Sequence, residues 1–427
     1  MRVLVIGSGA REHAIAARLL ADPDVSELLA APGNPGISRL TRTSPVNPTD
    51  LDHLVRLADR ERIDLTVVGP ETPLSFGLAD RFMAAGRLIV GPSAAAARLE
   101  SSKAFAKAFM QRHRVPTARF RACTTVDEAL DVVGSGEFGF PIVLKADGLA
   151  AGKGVVIADD RAAAEAAVIG AMRDRRFGSA GDCLVIEEHL RGPELSFFVL
   201  ADGARAVGIG TAQDHKRIFD DDRGPNTGGM GAFAPSPLVD HALTARILHD
   251  IVGPVMRGMA AEGHTYAGFL YVGLMLTADG PKVIEFNVRL GDPEAQVILP
   301  LIDEPLLPLL VAAARGKLRQ DSVRISADKM ACVVVASRGY PDAFESGREI
   351  KGIDEAERIA GVSVYHAGTS MKDGRLVTSG GRVLTIAARG AEFAEAIARA
   401  YTGVLQISFD GMQYRRDIGR GALIAER

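Results

Sequence analysis

Cysteine is scarce in this chain of 427 residues. Cys123, Cys183 and Cys332 lie far apart, with no CxxC pair among them. An odd, scattered set excludes a disulfide framework or a cysteine zinc site, and a reducing cytoplasm is the simplest expected compartment. An excess of one charge is also missing: 50 Lys and Arg face 53 Asp and Glu, a net charge of −3. That balance does not draw the whole chain to nucleic acid or to an anionic membrane. Long hydrophobic runs are absent too. The longest apolar stretch, around Pro305 to Ala314, is half of the ~20 residues that span a bilayer. Met1-Arg2 leads straight into Val3-Leu4-Val5-Ile6, too short for the apolar core of a signal peptide. No internal repeat and no low-complexity segment occurs.

What is abundant is glycine, 46 residues, clustered in shaped loops. At ~150 residues per domain the length suggests roughly three domains. The first hundred residues alternate short apolar runs with helical patterns. Val3–Ile6, Glu27–Ala31, Leu65–Val68 and Leu88–Val90 read as strands, and the segments between them as helices. This alternation predicts a parallel sheet with helices on both faces, whose ligands gather at the carboxyl ends of the strands. A second α/β block over about 120–190 reads as a small separate lobe. From Asp328 onward the pattern predicts short strands, a helix over Glu392–Val404 and a final strand.

Several motifs carry chemistry. Gly7-x-Gly9-x-x-Glu12 follows the first strand, where backbone N–H groups at a helix start can face an anion, with Arg11 adding charge. Glu12 replaces the last glycine of the dinucleotide fingerprint, so a phosphosugar cradle, a NAD site and a plain packing turn all stay open. Pro141–Ile157 places Lys145 at the end of an apolar strand and a loop of small residues, Gly148 to Gly154 with Lys153, before the next. Backbone amides in such a loop can approach phosphates closely, although a ligand-free hairpin has the same pattern. Gly152-Lys153-Gly154 lacks the following Ser or Thr of a Walker loop. In Val185–Leu190, followed by Glu194, a strand end could read a purine edge, and Glu194 could hold a ribose diol. Glu285, Asn287 and Arg289 would share one strand face, where two oxygen ligands suit Mg²⁺ and Arg289 a phosphate or carboxylate. An exposed polar strand face is the plainer alternative. Gln213–Arg217 and Gly224–Gly231 form a crowded polar loop pair.

Together these segments resemble the ATP-grasp carboxylate–amine ligases. More narrowly, the runs Val-Ile-Gly-Ser-Gly-Ala-Arg-Glu-His-Ala, Ala-Pro-Gly-Asn-Pro-Gly, Lys-Ala-Asp-Gly-Leu-Ala-Ala-Gly-Lys-Gly, Gln-Asp-His-Lys-Arg, Gly-Pro-Asn-Thr-Gly-Gly-Met-Gly and Glu-Phe-Asn-Val-Arg-Leu-Gly-Asp-Pro-Glu resemble the phosphoribosylamine–glycine ligase family. Ala10 stands where that family usually carries glycine, and Leu290 where it commonly carries an aromatic.

The resemblance implies an α/β ATP-grasp fold with an N-terminal open parallel α/β domain over 1–103 and an ATP-grasp core over 104–328. The core would include a mobile lid lobe at about 120–192, and a C-terminal α+β domain would cover 329–427. It implies ATP-dependent joining of glycine to 5-phosphoribosylamine through a glycyl phosphate. Lys103, Lys145, Gly148, Gly152, Lys153 and Gly154 would meet the phosphates of ATP. Glu187, Glu188, Leu190 and Glu194 would hold its adenosine. Glu285 and Asn287 would hold Mg²⁺, with Mn²⁺ as an alternative. Gly9, Arg11, Glu12, Asn34, Asp214, Lys216 and Asn226 would face the phosphosugar or glycine. Arg289, Lys145 and Asp292 would carry the catalysis. No nucleic acid or membrane partner is implied, and a monomer is expected. A related ligase using formate or bicarbonate, and a NAD-dependent oxidoreductase, are the competing readings.

Overall fold

The computed structural model describes residues 1–148 and 154–425. Gly152 and Lys153 lie outside them.

The N-terminal unit is a five-stranded sheet in the order Arg42–Thr43, Glu27–Pro32, Arg2–Gly7, Leu65–Val68, Leu88–Val90, with every neighbouring pair parallel. Val3 to Ile6 are fully buried, as expected for a strand with helices on both faces. The helix Ala10–Leu20 starts directly after the first strand, and Leu51–Arg60 is capped by Asp50, whose carboxylate accepts from His53 N at 3.1 Å.

A helix pair, Ala94–Ser101 and Lys103–Arg112, leads to a small lobe. Its four antiparallel strands lie in the order Phe120–Cys123, Leu184–Glu188, Ile142–Ala146, Val155–Ala158. Helices Val126–Ser135 and Arg161–Val168 close one face over a core of their own that includes Ala129, Leu144 and Ile186.

The central sheet has eight strands, in the order Gly280–Asn287, Ala267–Thr277, Glu194–Asp202, Ala206–Asp214, Gly231–Ala234, Lys329–Ala336, Arg382–Gly390, Val362–His366. Gly231–Ala234 pairs with Lys329–Ala336, so the C-terminal segment continues this sheet, and it adds a separate two-stranded hairpin, Thr369–Lys372 with Arg375–Thr378. The helix Leu306–Ala314 is buried against it. The chain does not finish in the expected strand. After the helix Phe393–Val404 it makes isolated bridges, Lys351↔Ser408 and Ala336↔Gln413, then a short helix Arg420–Ala425. Arg415 there is spent on side-chain pairs, described below, and the segment adds no strand to the sheet. Among the described residues no helix is long and apolar enough to cross a membrane.

Candidate active site

One cleft of about 1180 Å³ opens between the small lobe, the central sheet and the carboxyl ends of the N-terminal strands. It is lined by Arg11, Lys103, Lys145, Gly148, Gly154, Glu187, Glu188, Leu190, Glu194, Asp214, Lys216, Asn226, Glu285, Asn287, Arg289 and Asp292. Residues far apart in the chain thus share one wall.

The small-lobe side is cationic. Lys145 lies 2.9 Å from Glu187 Oε1, a contact that is ionic without hydrogen-bond alignment, and donates to Ile284 O at 3.1 Å. That carbonyl is available because Ile284 is the extra residue of a β-bulge: Glu285 pairs with Gly273 but Val283 with Leu274. Glu187 Oε2 is taken by Lys107 at 2.7 Å. Lys107 also donates to Thr117 Oγ1 at 2.7 Å. Two buried lysines therefore share one buried carboxylate, which leaves the cluster a net cation facing the cleft. Both Glu187 oxygens lie against lysines. Lys103 donates to Gly148 O at 2.8 Å, and burial lowers its pKa from the ordinary ammonium value. Glu188 accepts from the N–H of Arg119 at 3.0 Å and from its Nε at 2.7 Å.

The opposite wall is the strand Gly280–Asn287. Its bulge breaks strict alternation, so Val283 and Phe286 point inward while Glu285 and Asn287 face the cleft. Arg289 lies past the strand end, not on the strand as the spacing suggested. It contacts Glu71 Oε2 at 3.3 Å and Glu100 Oε1 at 2.8 Å. Burial opposes the charge of its guanidinium, yet Glu100 and Glu71 raise its pKa overall. Lys216 links two strands of the central sheet, 2.9 Å from Glu194 Oε2 and 3.8 Å from Glu285 Oε1. Burial disfavours its charge, but Glu194 foremost lifts its pKa well above the usual value.

Glu285 and Asn287 fit a divalent cation. They offer two hard oxygen donors on one face: the acceptors Glu100 Oε1 and Phe286 O beside one end of the Asn287 amide assign the nitrogen there, which leaves the amide oxygen for a metal. Among the described residues no group of three His, Cys, Asp or Glu forms a cage. A cation there would complete its shell from phosphates and water, as Mg²⁺ commonly does.

The floor holds Asp292, Asp214 and Glu294. Burial works against the Asp292 carboxylate, but Arg382 and Arg11 pull its pKa below the usual range. Burial and then Glu294 push Asp214 up. Arg382, reaching in from the C-terminal segment, donates to Asp292 O at 2.5 Å and Gly228 O at 2.6 Å. Arg415, 1% exposed, binds Asp222 and Asp417 at 2.7 Å and Arg217 O at 3.1 Å. It thereby pins the hairpin Arg217–Phe219/Arg223–Asn226, which carries Asn226 into the cleft.

The glycine turn after the first strand is already filled. Glu12 Oε2 accepts from Gly9 N at 2.5 Å, Glu12 Oε1 pairs with Arg11 at 2.7 Å, and Arg11 also donates to Leu290 O at 3.2 Å. A Cβ on Gly7 would sit 2.5 Å from Glu12 Cγ, and Gly7 holds a φ of +127°. The anion cradled by this turn is the chain's own carboxylate. Gly9 still borders the site: a Cβ there would lie 3.5 Å from Asp292 Oδ2. Asn34 is not brought to the cleft. Its amide donates to Ser8 O and His366 O, both at 2.8 Å, beside a separate hollow of about 360 Å³.

Sequence reasoning missed Lys107, Glu100, Arg382 and Arg415, and it placed Glu71 and Glu294 within motifs without giving them a role. Lys107 stands four residues after Lys103 on one helix, a same-face spacing that could have drawn attention to it. Glu71 directly follows a strand-end Gly69-Pro70. Nothing local marks Arg382 or Arg415, whose partners lie far away in the chain.

Residues 1–100, 101–295 and 330–421 match the N, ATP-grasp (A) and C domains of phosphoribosylglycinamide synthetase. Phosphoribosylamine–glycine ligase of Xylella fastidiosa is 48% identical over 430 residues, spanning 100% of this chain and 99% of its own. That of Caulobacter vibrioides is 49% identical, spanning 99% of each. The crystal structure of the Thermotoga maritima phosphoribosylamine–glycine ligase superposes with a TM-score of 0.82 at 35% identity, covering 98% of this chain and 100% of that one. Campylobacter jejuni biotin carboxylase in complex with β-γ-ATP shares the fold, with a TM-score of 0.69 at 15% identity over 97% of this chain and 92% of its own. The chain belongs to the phosphoribosylglycinamide synthetase family: it is an ATP-grasp ligase that forms a carbon–nitrogen bond, taking ATP and a divalent metal ion.

Proposed function

We propose that the cleft joins glycine to 5-phosphoribosylamine, giving glycinamide ribonucleotide, ADP and phosphate, an early step of purine synthesis. A glycine carboxylate oxygen attacks the γ-phosphorus of ATP, the bond to the bridging oxygen breaks, and ADP leaves. The amine of the phosphosugar then attacks the acyl carbon of the glycyl phosphate. The C–O bond to phosphate breaks, inorganic phosphate leaves, and the amine gives up a proton.

Such transfer needs positioning and charge neutralisation more than a covalent residue. Lys103 and Lys145 supply the cations for the phosphates, beside Gly148 and Gly154. Glu188, Leu190 and Glu194 border adenosine, with Glu187 acting through the lysines it pairs. Glu285 and Asn287 hold the divalent ion, Mg²⁺ with Mn²⁺ as a substitute, which neutralises phosphate charge. Arg289 faces the γ-phosphate or the glycine carboxylate, and Asp292 the glycine ammonium. Gly9, Arg11, Asp214, Lys216 and Asn226 border the phosphosugar. Closure of the small lobe over residues 120–192 would keep water from the acyl phosphate. A cytoplasmic monomer with units over 1–103, 104–328 and 329–427 completes the reading.

The carrying observation is the convergence of Lys103, Lys145, Glu285, Asn287 and Arg289 on one cleft. The test is a turnover assay with ATP, glycine and freshly generated phosphoribosylamine, omitting each in turn. ADP release that continues undiminished without glycine, or that follows formate or bicarbonate instead, sinks it.

A further inference from the structure

Three consecutive residues of the cleft wall donate to one carboxylate. Glu100, at the end of the helix Ala94–Ser101, is buried. Its Oε2 accepts from Val288 N at 2.7 Å and its Oε1 from Arg289 Nη2 at 2.8 Å. The Asn287 amide is oriented by its hydrogen-bond surroundings: two acceptors, Glu100 Oε1 at 3.0 Å and Phe286 O at 3.2 Å, face one end of it, which assigns the nitrogen to that end as a third donor. The opposite amide orientation would set oxygen against oxygen at both contacts.

We infer that Glu100 is a positioning residue for the divalent-cation site: by accepting from the Asn287 amide nitrogen it locks that side chain with its oxygen toward the cation. A buried carboxylate without donors is costly, and here the donors are the backbone and side chains of the segment that ends the metal-bearing strand. The same carboxylate fixes Arg289, so one residue sets the relative placement of a cation ligand and a cationic clamp. Glu100 also sits three residues before Lys103, which donates to Gly148 O. One short stretch of chain therefore braces both walls. Ligand-orienting partners of this kind typically change metal affinity by about 10- to 100-fold when altered.

This inference rests on reading Glu285 and Asn287 as the cation ligands. Its test is Mn²⁺ binding to the full-length protein in the presence of ADP, read from the free-Mn²⁺ electron paramagnetic resonance signal, which needs neither glycine nor phosphosugar. Glu100→Gln replaces an acceptor with a donor, and Asn287→Asp sets carboxylate against carboxylate. Each single variant is expected to weaken Mn²⁺ binding by about 10-fold or more. The double variant reverses donor and acceptor, and is expected to return to within about 3-fold of wild type, the signature of coupled neighbours.

Unchanged binding in Glu100→Gln, or a double variant whose loss is the sum of the singles, overturns the inference. So does equal or tighter binding in Asn287→Asp, an outcome readable even if Glu100→Gln does not fold. Glu71→Gln removes the other Arg289 partner alone. If it weakens Mn²⁺ as much as Glu100→Gln, Glu100 acts only through Arg289 and the inference fails. Unchanged Mn²⁺ binding in Glu285→Gln would instead remove the cation site itself. Intact Mn²⁺ binding without glycine ligation would remove only the proposed reaction.

Discussion

Lys107→Met is the most informative perturbation of the nucleotide end of the cleft. Lys107 and Lys145 share Glu187 at 2.7 and 2.9 Å, all three side chains nearly sealed from solvent. With Lys107 present, Lys145 can turn to a phosphate while Glu187 keeps a counter-ion. Without it, Lys145 is the remaining cation on Glu187, and ATP must compete with a buried carboxylate for it. A hydrogen bond to a charged group is worth about 1.5–3 kcal/mol. At ~1.4 kcal/mol per decade, KM for ATP should rise about 10- to 100-fold. Glu187→Gln in the same chain should recover part of that loss by removing the competitor.

The pH profile provides an independent arm of the same experiment. Burial, against the pull of Glu187, moves Lys107 from 10.5 down to about 8. It is charged below that value and neutral above it. Wild-type KM for ATP should therefore climb between about pH 7 and pH 9, and the climb should vanish in Lys107→Met. Steady-state ADP release across that range reads both effects. A variant whose KM for ATP stays within about 2-fold of wild type, with the same pH dependence, would refute the shared-carboxylate argument.

Other expectations follow from the same geometry. Arg415→Met should leave Asp417 without its partner, while water relieves the exposed Asp222, and cost about 1.5–3 kcal/mol, seen as a lower thermal midpoint and faster proteolysis within 217–226. Burial holds His13 near 3 and His366 near 4, both below the ordinary 6.5, so each is neutral when folded and protonates on unfolding in mild acid. Folding stability is unaffected by these groups above about pH 6.5 and falls toward pH 4, approaching ~1.4 kcal/mol per pH unit per histidine, because only the unfolded chain takes up the protons. Urea midpoints at several pH values check this, and His13→Gln should flatten the slope. Glu12→Gly would restore the dinucleotide fingerprint in sequence, yet it empties the turn beside Gly9 and strips Arg11 of its partner. Destabilisation of about 2–3 kcal/mol by denaturant titration is expected, with no gain of NAD binding. Chelation should abolish ADP release, and added Mg²⁺ or Mn²⁺ should restore it; turnover that persists in a chelator would remove the metal assignment.

Local pattern was enough for the family and for most elements, though not for the C-terminus, where isolated bridges and a short helix stand in place of the expected strand. The apolar runs at Val3–Ile6 and Leu65–Val68 are strands because both faces of a parallel sheet are covered, so burial writes itself as an unbroken hydrophobic stretch. The glycine turns and the Glu285-x-Asn287 pair are legible for the same reason: their chemistry and their spacing lie within a few residues. The ATP-grasp family followed from those segments taken together, and the matched domains agree with it.

What sequence alone left open depends on partners brought together from far apart. The bulge at Ile284 is set by pairing with Gly273 and Leu274, and it decides which side chains face the cleft. Glu12 looked like a flaw in an anion-binding turn until folding placed its carboxylate within that turn. Arg289 looked free, but Glu71 and Glu100 reach it from more than 180 residues away. Arg382 and Arg415 join the site only because the C-terminal strands extend the central sheet. A residue's type announces its charge, but the charge that neutralises it, and so what the site can still bind, is settled by packing.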